Sequence, residues 1–520
     1  MSDSSLEAVV QKLIRAPISE MSDATALKCV AELIDFSGEI GSIAGIKRAF
    51  SMLSEIERRK LLPEDQALLH YFRANAWKTK HRHDPQSDSD SWERANWQEQ
   101  ILSLSLACNH DGFSKLNKVR RCQILTNLGI RLNEVGRFIE AIELWDNALA
   151  IIPNFAIALG SRGLGLKYYG RACEDGSDFE RLTVAAHDAF AAASADGVFW
   201  DSDYPTSVAD GFRRQACEIA ELLDMTAIAT ELNPKGASLG RSHEEKSYRR
   251  WSLDRRLFIN PLNDLVTHQV AACDPLMLPT LWTEIDEPGM PAIIGLYNQM
   301  KQEYAFARLL LYEGQPEDSV HFADRRVLLH NTLDYPSFSI ATEKLRTSFR
   351  LAYSILDKVG YFINIYWQLG LKKHRVGFRS VWYDDTSGES RLNSRFETYA
   401  NWPLRGLFWL SKDLFDERLQ RVTTPDAREI FIIRNHLEHK YLQIHYERMG
   451  LSDPITAGVG YSIDVMDFAA KSLRLLKIAR AAMIYLPLAV HAEERLRRQN
   501  ARPSLIMEMG LTTLKDDWKR

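Results

Sequence analysis

The sequence has no apolar run that reaches across a bilayer. Its longest, Ala481–Val490, has ten residues and contains Pro487, against the roughly 20 that a spanning helix requires. Cysteine is scarce: Cys29, Cys108, Cys122, Cys173, Cys217 and Cys273 stand apart, with no CxxC pair and no matched CxxC…HxxxH set. That pattern excludes a disulfide scaffold and a zinc module, and it reads as reduced, mostly buried thiols of the cytosol. Met1–Glu7 is polar and acidic, without the order of an export signal, so a cytoplasmic protein without membrane contact is expected. Basic charge is not in excess either. Lys and Arg total 65 against 69 Asp and Glu, a net charge of -4, so any nucleic-acid contact must be local or assembled from two chains. Alternating strand patterns are few, the best being Val376–Tyr383.

What the chain does have, from end to end, is helical periodicity, and an all-α fold is expected. The clearest unit is Cys122–Phe155. Leu125, Leu128, Gly129, Leu132, Ala141, Trp145, Ala148 and Pro153 fall where a 34-residue tetratricopeptide repeat places its packing residues. Small residues at 129 and 141 let two antiparallel helices approach, and Pro153 ends the second. Ala156–Tyr168 restarts the pattern. Leu68–Ala76 with Trp97–Cys108 makes a degenerate earlier unit. Polar stretches at Lys78–Ser91, Asn233–Lys246 and Asp384–Ser394 read as a solvated loop, a linker and a hairpin or insert. The expected division is a helical repeat region over 1–235, a connecting segment with short helices over 236–335, and a further domain over 336–520.

That last part holds three long helical patterns: Thr342–Leu369, Thr424–Tyr446 and Ile463–Arg498, the last kinked at Pro487. On the second lies Arg434-Asn435-His436-Leu437-Glu438-His439. It resembles the R-x(4–6)-H motif of the HEPN superfamily, with a polar residue directly after the Arg. The chain as a whole resembles a subfamily with helical repeats before a HEPN bundle. Similar spacings at Arg325…His330 and Arg181…His187 lack both the amide and the setting of long C-terminal helices.

The resemblance implies a metal-independent endoribonuclease that acts as a homodimer, with Arg434, Asn435 and His439 catalytic, Asp357 orienting the Arg, and no cofactor. It also implies a bacterial antiphage or toxin–antitoxin role on tRNA or mRNA, with the repeats as sensor or recruiter for a protein or peptide partner. The residue types suit the chemistry. His exchanges a proton near neutral pH, and Arg stays charged and forks onto phosphate oxygens. On an ideal helix, however, Arg434 and His439 project about 140° apart, which favours a cleft shared by two chains.

Blander readings stand beside this one. Arg434 pairs with Glu438, or His439 serves an interface in a non-catalytic scaffold. His436 and His445 lie on the helix surface, and Asp357 is an ordinary carboxylate. His81, Arg82 and His83 belong to a solvated loop. Tyr361, Phe362, Tyr366 and Trp367 form core or dimer surface. A nucleotide-binding regulatory domain is a third functional class.

Overall fold

Helix starts are written into the chain as caps. Ser22, Ser42, Asn117, Asp175, Ser242, Ser339 and Asn401 each accept a hydrogen bond from a backbone N–H two or three residues on, and Pro63 and Pro403 stand in first turns. The computed structural model describes residues 3–83, 91–202, 204, 206–225, 238–265, 268–282, 290–315, 319–331, 335–384, 391–397, 399–419, 427–446, 460–500 and 510–519.

Among these, the N-terminal helices are α1 (Asp3–Ile14), α2 (Asp23–Ile40), α3 (Ile43–Glu57), α4 (Pro63–Arg82), α5 (Ala95–Asn109), α6 (Lys118–Glu134), α7 (Phe138–Ile151), α8 (Ala156–Ala172), α9 (Gly176–Ala193) and α10 (Thr206–Leu222). Then come α11 (His243–Asp254), α12 (Met290–Glu313), α13 (Ile340–Tyr366), α14 (Ser394–Glu397), α15 (Trp402–Phe415), α16 (Ala427–His439) and α17 (Val465–Asn500). Strands are limited to an antiparallel pair, β1 (Tyr383–Asp384) with β2 (Arg391–Leu392), and a parallel pair, β3 (Tyr441–His445) with β4 (Gly460–Asp464). The fold is all-α.

Consecutive helices α4 to α9 pack pairwise and then on the next pair, so each hairpin buries the face its neighbour leaves open. The unit read from Cys122–Phe155 is α6 with α7. A Cβ on Gly129 would lie 2.5 Å from Trp145 Nε1, so the small residue admits the indole. The C-terminal bundle sets α12 along α13, α13 and α15 against α17, and α16 across α13 and α15.

Several expectations change. Lys78–Arg82 continues α4 rather than entering a loop. Lys80 lies over Trp77, Trp97 donates to His81, and His83 bonds the Gly38 carbonyl at 2.9 Å; residues 84–90 lie outside the described residues. Residues 243–246 begin α11, because Ser242 caps it. The region expected to hold only short helices contains α12, of 24 residues. Val376–Tyr383 is mostly turn, with the strand starting at Tyr383 and pairing antiparallel with β2. The expected helix Thr424–Tyr446 stops at His439, because Leu442 and Ile444 turn inward as alternate residues of β3. Helix α17 runs on through Pro487: the Met483 carbonyl that proline cannot pair accepts from the Tyr297 hydroxyl at 3.1 Å.

The two halves share one core. Arg137, at the turn before α7, pairs with the buried Asp413 of α15, and Tyr485 of α17 donates to Glu140. Trp402 Nε1 donates to the Asn133 carbonyl at 2.8 Å, and Trp409 Nε1 to that of Trp92 at 3.1 Å. Gly136, at φ 92, brings its backbone against Gly406 so closely that any Cβ there would collide with the Trp402 carbonyl. Removing one partner of a buried pair strands the other charge and costs about 3–5 kcal/mol. Asp413→Ala is therefore expected to lower the free energy of unfolding by that much, read from a denaturant titration with a single transition. Independent unfolding of the two halves would contradict the shared core.

Candidate active site

Helix α13 carries Tyr353, Asp357 and Gly360 on one face, at spacings of four and three residues. Arg434 of α16 faces this stripe. Its guanidinium lies 5.4 Å from the centre of the Tyr353 ring, and its Nη1 donates to Asn435 Oδ1 at 3.2 Å. Asp357 is half-buried beneath it. Burial pushes its carboxyl pKa upward, while a hydrogen bond from the Phe378 N–H and the charge of Arg434 pull the other way, and burial prevails. The Tyr353 hydroxyl is pushed up to about 12, by burial first and by the Asp357 charge second.

Arg434, Asn435 and Asp357 are thus brought together. The pairing of Arg434 with Glu438 does not occur: Glu438 meets Arg350 at 3.5 Å, and Arg350 also donates to the Leu437 carbonyl at 2.7 Å. Asn435 makes no hydrogen bond with His439; its amide oxygen accepts from Arg434. His439 is exposed at the C-terminus of α16, five residues from Arg434 and so about 7.5 Å further along the axis. His436 is tied to its own helix through the Ile432 carbonyl at 2.8 Å and rests against Tyr461. His445 continues into β3.

The rival spacings carry no comparable surroundings. Arg325 and His330 are exposed outside any helix, and His187 pairs with its neighbour Asp188. Phe362, Tyr366 and Trp367 are buried within the chain, at 0%, 4% and 5% exposure, which removes them as a dimer face. Three of the six cysteines are buried and two, Cys217 and Cys273, are exposed. Among the described residues no group of three His, Cys, Asp or Glu side chains stands where it would hold a metal, and no helix is long and apolar enough to cross a membrane.

The sequence reading missed Tyr353 and Phe378. Tyr353 stands four residues before Asp357, a spacing that offered a signal; the partnership of Phe378 is long-range and offered none. A carboxyl with a raised pKa contributes stability below its unfolded value, and that contribution is lost as pH rises through the folded value. At pH 7 the Asp357 carboxylate is therefore held at a cost. Asp357→Asn, which keeps an acceptor for Phe378, is expected to melt at the same or a higher temperature than wild type at pH 7. The gap should close as pH falls toward 4, while any activity that depends on Arg434 drops. A lower melting temperature at pH 7 would show that the charge stabilises the fold.

No curated protein and no solved structure matches the chain. The family model described as LA2681-like HEPN matches residues 285–493, a span that opens before α12 and includes Asp357, Arg434, Asn435 and His439. The C-terminal part of this chain is a member of the HEPN superfamily.

Proposed function

We propose that the chain is an endoribonuclease that cuts RNA through its HEPN domain without a metal ion, as a homodimer, with the helical hairpins of residues 1–235 as sensor or recruiter. The observation that carries this reading is Arg434 itself. It is held by Asn435, laid on Tyr353 and set over a half-buried carboxylate, on the helix that ends in an exposed histidine. In RNA cleavage His439 takes the 2′-hydroxyl proton, the 2′-oxygen attacks the adjacent phosphorus, and Arg434 bears the charge growing on the phosphate oxygens. The bond to the 5′-oxygen then breaks and that oxygen takes the proton back from the imidazolium, leaving a 2′,3′-cyclic phosphate and a 5′-hydroxyl.

Arg434 and His439 diverge on one helix, so a second copy related by a two-fold axis is needed to bring an Arg and a His to one phosphate. Exposed apolar side chains stand on the segment before α13, which touches β3, the strand that follows α16. Phe322, Leu328, Leu329 and Tyr335 are 75%, 95%, 59% and 62% exposed, and Ser337 N–H bonds the Ile444 carbonyl of β3 at 2.6 Å. We assign that segment to the dimer interface. A cytoplasmic role in bacterial antiphage defence or as a toxin, acting on tRNA or mRNA, is the biological setting we propose.

The test is cleavage of total RNA in EDTA by the full chain. Wild type should cut, and His439→Ala and Arg434→Ala should lose about 10²–10⁴-fold in rate, while His330→Ala and His187→Ala cut normally. Light scattering should report twice the chain mass. If His439→Ala cuts as fast as wild type, or if chelator abolishes cleavage and Mg²⁺ restores it, this mechanism is wrong.

The scaffold reading keeps one supporting observation. A groove of about 570 Å³ runs across α2, α4 and α6, bordered by Asp35, Lys78, Arg120 and Asn127, and it could seat a protein segment. Under that reading all four substitutions are silent toward RNA, and changes to the groove alone disturb function.

A further inference from the structure

From residue 358 to residue 383 the chain contains no Asp or Glu, although 69 are spread over its 520 residues. The same stretch carries Lys358, Lys372, Lys373, His374, Arg375 and Arg379. Lys358 is paired with Glu303. The others fall in the loop after α13, and the fold decides where that loop goes.

Three contacts fasten it to one face of α13. Asn364 exchanges two hydrogen bonds with Leu371, donating to its carbonyl at 3.2 Å and accepting from its N–H at 3.0 Å. Gly360 lets the loop backbone touch the helix, since a Cβ there would stand 2.7 Å from the Gly377 carbonyl carbon. Asp357 accepts from the Phe378 N–H. Positions 364, 360 and 357 lie in line on the helix, so the loop runs back along α13 for about 10 Å and arrives at the carboxylate that faces Arg434.

The loop is also held from its other side. Phe378 is fully buried, and its carbonyl accepts from Trp382 Nε1 at 2.8 Å and Ser411 Oγ at 2.9 Å. Ser380 Oγ closes the turn onto the Arg375 carbonyl at 2.6 Å. Lys372, His374, Arg375 and Arg379 are exposed on this fixed backbone. Neither Lys372 nor Arg379 makes an ion pair among the described residues.

A merely solvated loop needs neither a single sign of charge nor three anchors to the helix beneath the site. We propose that residues 372–379 form a phosphate-binding rail that holds an RNA strand and delivers it to Arg434. The proposal rests on the ribonuclease reading for its substrate, and it adds the surface that positions that substrate. A fixed row of cations suits a phosphodiester backbone, because the ordering cost is already met before binding.

The experiment uses the full-length chain with Lys372→Glu and Arg379→Glu combined, a labelled single-stranded RNA oligonucleotide, and a salt titration. Two lost phosphate contacts should flatten the slope of log K against log salt by about 1.4. The variant should raise KM far more than it lowers kcat, the opposite of His439→Ala, and should melt like wild type. Lys372→Gln with Arg379→Gln should fall between the two. Binding affinity and salt slope equal to wild type would overturn the rail, even if cleavage by wild type upholds the nuclease. Absence of RNA binding by wild type would overturn it as well. RNA binding that is lost in the variant, with no cleavage by wild type, would uphold the rail and dismiss the ribonuclease.

Discussion

The guanidinium of Arg137 on the carboxylate of Asp413 decides how the rest of the molecule can behave. Two charges taken out of water are tolerated only where their geometry is held from all sides. Here the hold comes from both halves: the turn before α7 and helix α15 supply the ions, Gly136 packs against Gly406 beside them, and Tyr485 of α17 ties in Glu140. Hydrophobic packing then follows the same seam, with Phe138 in ring contact with both Trp402 and Tyr485. The hairpins and the HEPN bundle are consequently one packed body, and the long helix α17 passes through the middle of it.

The candidate site follows a different logic. At the seam Arg137 and Asp413 pair directly with each other, whereas Asp357 is a carboxylate whose burial outweighs its helpers. A group kept charged against its surroundings is costly to the fold, and such costs concentrate where a function uses them. The use visible here is twofold. One carboxylate holds Arg434 by charge and the Phe378 N–H by hydrogen bond, so it locks the cation and the loop of residues 372–379 into one arrangement.

Features decided by local spacing were legible in the sequence. The pairing of α6 with α7 could be read from Gly129, Ala141 and Trp145, because residues three and four apart must share a face. Helix α13 and the position of Arg434 and Asn435 on α16 were legible for the same reason, and Asp357 followed from the resemblance. The end of α16 was not. Leu437, Tyr441 and Ile444 continue a helical stripe, while Leu442 and Ile444 also alternate as a strand would, and nothing local separates the two. Pairing with residues 460–464 separates them, and that contact is remote in sequence. The basic loop shows the same limit from the other direction. Its charges were plain, but its meaning depends on Asn364, Gly360 and Asp357, which place it.

If the hairpins act as the proposed sensor and the chain works as the proposed dimer, these constraints narrow how they would control the site. Because Arg137, Glu140 and Glu143 are each bonded to the C-terminal bundle, a partner on the N-terminal groove cannot act by swinging one half away from the other without breaking buried pairs. Two routes remain. One is a small shift of α17, which reaches the motif helix directly through Lys471 on Glu429 at 2.7 Å and borders β3 through β4. The other would leave the chain unchanged and govern access to the proposed second copy at the exposed segment around Leu328. The first route would be felt within one chain, as a change in how Arg434 and His439 are held. The second would be felt only in assembly, so the concentration dependence of activity separates them on physical grounds: a shift within the chain changes the rate per dimer, whereas control of pairing changes how many dimers there are.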